Sequence, residues 1–270
     1  MRSLLLHVDS GADFTARLQV ALDLCRSFDA HVTLLQTVVP DIAPQVDMNG
    51  VILPALGSEI RREAEELRER IEARLANEDV RWDWVVEWGL ASNYLLRHAA
   101  LTDLAIVGAH DPGSLTRGPS PIAGMLAVHC KAPIMVVPDK VSSIDIGGPA
   151  MVCWNGSIEA SRALRAATPL LGKASAVHLV TVSAKEEDTF DLPATAGARY
   201  LERHGVNCEM VEIPCADDAI GETLRDAARA REAAWLVMGA YGTPRLIETL
   251  FGGVTREMLR EPEWPTLLAH

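Results

Sequence analysis

Three things are missing from this chain of 270 residues. It has no Cys-x-x-Cys pair. Cys25, Cys130, Cys153, Cys208 and Cys215 are scattered and odd in number, which argues against a disulfide framework or zinc site and for a reducing compartment, the cytoplasm. It has no run of about 18 apolar residues, so no membrane span is expected. The N-terminal MRSLLLHVDS is too short for a signal peptide and reads as a strand. It also has no surplus of positive charge: 25 Lys and Arg stand against 37 Asp and Glu, a net charge of -12. That excludes a general binder of nucleic acid or anionic membrane. A single nucleotide is still compatible, provided that backbone N–H groups hold its phosphates. With 49% hydrophobic and 23% charged residues, the composition is that of a globular protein, long enough for one large or two ordinary α/β domains.

What is present is a repeat. SLLLHVDS, a helical stretch to about Phe28 and AHVTLLQTV are answered by PAMVCWNGS, a helical stretch to about Leu171 and SAVHLVTVS. LTDLAIVGAH is answered by AAWLVMGAY, and KAPIMVVP by EWPTLLAH. The copies run over residues 1–140 and 149–270, with VSSIDIGGP as the joint. The short, nearly continuous apolar runs predict strands buried on both faces of a parallel sheet. The stretches between them have helical spacing: Ile220, Leu224, Ala227 and Ala228 share one face, and Ser157 is a candidate N-cap. Alternation of this kind predicts two doubly wound, Rossmann-like α/β units with about five strands each. Their ligands belong beyond the carboxyl ends of the strands.

The stretch 239-GAYGTPRLIETLFGGVTREML-259 follows a predicted strand. Gly239 and Gly242 sit where that strand ends, and Gly252 and Gly253 precede a predicted helix. Glycine turns at a strand end and at a helix start form a backbone cradle for an anion, with a phosphate chain as the usual occupant. The spacing alone is as often that of a tight turn that binds nothing, or more often. The Walker loop, the Gly-x-Gly-x-x-Gly fingerprint and the Gly-x-Ser-x-Gly elbow are all absent. In the first copy, 108-GAHDPGSLTRGPSPIAGML-126, Asp111 replaces the second glycine and 120-SP replaces Gly-Gly. A carboxylate repels phosphate, and Pro121 has no N–H to offer.

On these residues the chain resembles tandem universal stress proteins, whose motif is Gly-x-x-Gly, nine residues, then Gly-Ser/Thr. Gly239, Gly242 and Gly252 match it in spacing, and Gly253 stands where a hydroxyl residue is usual. The resemblance implies the adenine nucleotide alpha hydrolase-like fold. It also implies an intrachain pseudo-dimer built by antiparallel addition of 134-IMVV-137 to 266-TLLA-269. It implies a nucleotide site in the second unit made of Cys153, Trp154, Asn155, Val182, Met238, Gly239, Gly242, Gly252, Gly253, Val254 and Thr255. Asn155 takes the place of a common Asp, which Asp9 keeps in the first unit. The ligand class is ATP, ADP or AMP, with Mg as a companion of the nucleotide. The function so implied is a cytosolic stress-response protein that acts as sensor or switch rather than catalyst.

Other readings stay open. A slow ATPase or adenylating ligase wants a base or catalytic Lys near the loop, where only Tyr241, Arg245 and Arg256 stand. A ligand-free scaffold is favoured by the altered first loop and by Gly253. A further homodimer and a regulatory protein partner are compatible with each reading. His7 and Asp9 share one side of a predicted strand, and His110 adjoins Asp111. The charged run 58–75 predicts a solvated amphipathic helix, 82-WDWVVEW-88 a strand with its tryptophans on one face, and 40–54 a loop over the first unit's crevice.

Overall fold

A computed structural model describes residues 1–11, 14–39, 55–111, 118–183, 192–215, 219–240 and 253–270. The 40–54 loop expected from the sequence lies outside these residues. The first half contains β1 (Ser3–Val8), α1 (Phe14–Phe28), β2 (His31–Val38), α2 (Ala55–Leu75) and β3 (Arg81–Trp88). It continues with α3 (Ala91–His98), β4 (Leu104–Gly108), α4 (Pro121–His129) and β5 (Ile134–Val137). The second half contains β6 (Ala150–Cys153), α5 (Ile158–Leu171), β7 (Val177–Ser183), α6 (Ala194–Arg203) and β8 (Glu209–Pro214). It ends with α7 (Ile220–Ala230), β9 (Trp235–Gly239), α8 (Gly253–Arg260) and β10 (Thr266–Ala269).

All ten strands belong to one sheet, in the order β3-β2-β1-β4-β5-β10-β9-β6-β7-β8. Every neighbouring pair is parallel except β5 and β10, which run antiparallel with Met135 opposite Leu267. Each half is thus a doubly wound sheet of five strands, and the two meet edge to edge. Burial explains the strand sequences. β1, β4 and β5 are covered on both faces and are apolar almost throughout. The edge strands β3 and β8 are only partly buried and carry charge; β8 ends at Pro214, which cannot donate to a further strand.

Side-chain alternation along the strands divides the core in two. One layer packs α1, α2, α5 and α6 against residues such as Leu4, Leu6, Met135, Leu179 and Leu267. The other packs α3, α4, α7 and α8 against Leu5, Ile134, Val136, Met238 and Leu268. Both layers cross the β5–β10 seam. The joint between the halves is packed as well: Ile144 and Ile146 are buried, and the Ile144 N–H donates to Asp23 on α1 at 3.1 Å. Ser157 caps α5, its hydroxyl accepting from the Ala160 N–H at 3.1 Å.

Leu267 lies in the seam with no solvent exposure. Leu267→Ala should lower the stability of the whole chain by about 2–5 kcal/mol, measured by urea unfolding. A loss below about 1 kcal/mol would mean that the seam is not a packed core.

Candidate nucleotide site

In both halves the topology reverses beside the first strand: α1 and α4 leave β1 and β4 to opposite faces, and α5 and α8 do the same after β6 and β9. The reversal opens a crevice at the carboxyl ends of those strands. In the second half it holds a cavity of about 240 Å³. Cys153, Val180, Val182 and Met238 contribute from β6, β7 and β9, and Ile220 and Leu224 from α7. Asn155, Ser157 and Glu159 line it from the turn into α5, and Gly253, Val254 and Thr255 from the first turn of α8.

Of the residues expected from the sequence, Cys153, Trp154, Asn155, Val182, Met238, Gly239, Gly253, Val254 and Thr255 are brought together around this cavity. Gly242 and Gly252 lie outside the described residues. Ser157, Glu159, Val180, Ile220 and Leu224 were not singled out as site residues. The apolar face of α7 and the cap of α5 were the available signals for four of them.

At three of these positions the protein itself engages the residue. Trp154 is 4% exposed, packs beside Gly197 on α6 and donates its indole N–H to the Leu192 carbonyl at 3.2 Å. It is a wall held by the protein rather than a free stacking surface. Asn155 uses its side-chain carbonyl to accept from the Ser157 N–H at 3.2 Å, which leaves the amide donors for other partners. Gly239 is small because of a helix: a Cβ there would lie 2.6 Å from the Ala160 nitrogen and 2.7 Å from the Glu159 carbonyl carbon. Its bareness lets the N-terminus of α5 cross the end of β9. Around Gly253, by contrast, an added Cβ would meet no atom of the described residues within 4 Å.

Chemically, the site is an apolar floor with two helix N-termini at its rim. Burial pushes the Cys153 thiol up to about 12, so it stays protonated and is a poor nucleophile. The N-terminus of α5 already has a carboxylate in its first turn, Glu159. The N-terminus of α8 has no acidic residue in its first turn, and a helix start carries the positive end of the dipole, which suits an anion. Among the described residues, no Lys or Arg lines this cavity.

The first half uses the matching positions internally. The Asp9 side chain closes the same local turn, accepting from the Gly11 N–H at 2.8 Å. Both of its oxygens are also bound by Arg17 of α1, at 2.5 and 2.8 Å, and Arg17 is 1% exposed. Burial acts to raise the Asp9 pKa, but the Arg17 bonds and charge, with His7 and the Gly11 N–H, outweigh it and hold the carboxyl below its ordinary value. At the other side of the crevice, Ser120 caps α4 by accepting from the Ala123 N–H at 3.0 Å, while its own hydroxyl donates to the Asp111 carboxylate. The sequence placed Asp111 where phosphate would sit, and its oxygen binds the cap of that helix.

No family model and no curated protein matches the chain. Solved structures do. A universal stress protein from Archaeoglobus fulgidus DSM 4304 aligns over 99% of this chain and 95% of its own, with a TM-score of 0.74 at 15% identity. The chain has the universal stress protein fold. A functionally unknown protein from Pseudomonas aeruginosa PAO1 shares it, with a TM-score of 0.60 at 17% identity over 100% of this chain and 92% of its own. Both alignments take in the two halves together. Among the described residues, no helix is long and apolar enough to cross a membrane.

His7 is 4% exposed in this fold, with Thr37 at 3.4 Å and Asp9 at 3.6 Å. Burial lowers its pKa from 6.5 to about 4, Asp9 opposing and Arg17 reinforcing the shift. It is therefore neutral at pH 7, and its contact with Asp9 is not an ion pair. The unfolded chain takes up this proton near pH 6.5 and the folded chain only near 4, so stability falls as pH drops through that window. Relative to His7→Gln, the wild type should lose roughly 3 kcal/mol between pH 7 and 4, read from urea unfolding of both proteins at each pH. Parallel pH profiles would refute a neutral buried His7.

Proposed function

We propose that the chain is a tandem universal stress protein of two units, residues 1–140 and 149–270, whose second unit binds ATP or a related adenine nucleotide as a sensor or switch in a stress response. The observation that carries this reading is the second-unit cavity: nine of the eleven expected nucleotide-site residues line it, and the other two lie outside the described residues. The apolar floor suits a base, and the free N-terminus of α8 suits a phosphate.

The contrast between the halves supports assigning the ligand to the second. In the first, Asp9 is paired with Arg17, and Asp111 accepts the hydroxyl of Ser120, the cap of α4. The first unit then acts as scaffold for the second. Among the described residues that line the second-unit cavity, none is placed as a general base beside an activated nucleophile, a lining that suits a switch.

Addition of an adenine nucleotide at about 100 times its dissociation constant should stabilise the protein by roughly 2.7 kcal/mol, read as a thermal shift. Val182→Trp, which fills the cavity from β7, should abolish the shift while leaving the circular dichroism of the free protein unchanged. Absence of any shift, with no nucleotide retained after purification, would overturn the reading in favour of a ligand-free scaffold. Phosphate release from ATP at a sustained rate would move it to an ATPase.

Gly253 offers a second test, because no atom of the described residues lies within 4 Å of an added Cβ there. Gly253→Ser should be accommodated without strain and should strengthen binding of phosphate-bearing ligands by about 0.5–1.5 kcal/mol, one added hydrogen bond. Titration calorimetry of both proteins checks it; equal affinities would mean that this end of α8 does not face the phosphate.

A further inference from the structure

We infer that the first unit carries a binding site of its own, a cleft between α1 and α2 that takes a hydroxylated phosphomonoester of the sugar phosphate class. The inference goes beyond the nucleotide reading and does not depend on it. The cleft is not the counterpart of the second-unit cavity. That cavity lies against the core layer of α7 and α8, through Val180, Leu224 and Met238, whereas the cleft lies against the layer of α1 and α2. It consists of two cavities, of about 170 and 510 Å³, which share Asp9, Ser10, Leu67 and Arg70.

The smaller cavity has two guanidiniums in its lining, Arg70 and Arg74. They stand four residues apart on α2, where like charges are neighbours and repel. The other arginines of this helix have partners. Arg62 bonds Glu59 and Glu66 at 2.6 Å, Arg68 bonds Glu72 at 2.8 Å, and Arg61 lies over the Trp88 ring at 5.0 Å. Among the described residues, Arg70 has no hydrogen bond or ion pair, and Arg74 has only the neutral Gln19 carboxamide, at 3.2 Å. The neighbouring carboxylates are engaged. Glu66, one turn before Arg70, holds Arg62; Glu78, past the end of α2, holds Arg26; Asp9 is bound at both oxygens by Arg17.

Phe14, Leu18 and Ile71 give the smaller cavity a buried apolar floor, above which charge interactions are stronger than in open water. Two guanidinium forks, with the hydroxyls of Ser10 and Thr15, offer more donors than one carboxylate can accept. A phosphomonoester, with about -1.5 to -2 charge at pH 7 and three acceptor oxygens, matches them. Glu63 and Glu66 line the larger cavity and not the smaller. Carboxylates repel phosphate and accept from hydroxyls, so the phosphate belongs beside Arg70 and Arg74 and the sugar toward Glu63.

The test is titration calorimetry of the full chain with glucose 6-phosphate, inorganic phosphate, glucose and succinate at fixed ionic strength. Glucose 6-phosphate should bind most tightly, inorganic phosphate more weakly and glucose not measurably. Arg70→Gln and Arg74→Gln should each weaken binding of the sugar phosphate by roughly tenfold or more, the loss of a charge-assisted hydrogen bond. Arg70→Lys, which keeps the charge and loses the fork, should fall between Arg70→Gln and the wild type. Val182→Trp, which fills the second-unit cavity, should leave the affinity unchanged. No measurable binding of glucose 6-phosphate would mean that the guanidiniums are held within the chain and would overturn the inference. So would tighter binding of succinate, an affinity unchanged in folded Arg70→Gln, or loss of binding in folded Val182→Trp. The nucleotide reading stands or falls separately, on the thermal shift with adenine nucleotide.

Discussion

The antiparallel pairing of β5 with β10 is the constraint from which the rest of the architecture follows. A parallel sheet of five strands leaves an apolar edge strand, and IMVV and TLLA are such strands. Each is buried only because the other covers its edge. Once they pair, the faces of both half-sheets become continuous, and the layers of helices above and below pack across the junction. The two crevices, one in each half, are then fixed in relation to one another by the same set of hydrogen bonds.

Within this near-symmetric frame the halves have diverged by electrostatics more than by shape. In the first, two carboxylates at the crevice are satisfied by the protein itself, one by a buried guanidinium and the other by a helix cap. A buried ion pair of this kind rarely adds much stability by itself, but removing one partner is strongly destabilising because the other charge is left unpaired. The crevice of the first half therefore carries its own ion pair, beside a cavity of about 510 Å³ lined by residues that include Val8, Asp9, Thr37 and Val38. In the second half the equivalent asparagine is neutral, the helix start is bare glycine, and a cavity is left open between them.

Much of this was legible from residue pattern. The period of α5 and its Ser157 cap define that helix from Ile158 to Leu171, and the unbroken apolar runs of β4 and β5 identify buried strands. The contacts that decide individual roles were not legible, because they join distant parts of the chain. The indole of Trp154 is directed by Leu192, and Gly239 is crowded by the backbone of a helix some 80 positions earlier. Asp9 is engaged by Arg17 one helical turn into α1. Glu159 reads in the sequence as part of a helix start and not as a site residue, because a carboxylate in a first helical turn is an ordinary feature. Strand β8 was obscure for the same kind of reason: an edge strand with charged residues and a terminal proline carries little of the apolar signal that marks a buried one.

The shared cores have a thermodynamic side. Met135 and Leu267 sit in one hydrophobic layer, Val136 and Leu268 in the other, and Ile144 of the joint is tied to α1. Neither half can open fully without exposing apolar surface belonging to its neighbour, so local fluctuations that begin in one are opposed by both. A ligand in either crevice would accordingly protect the other half from proteolysis and amide exchange, each half reporting on its neighbour through shared stability alone.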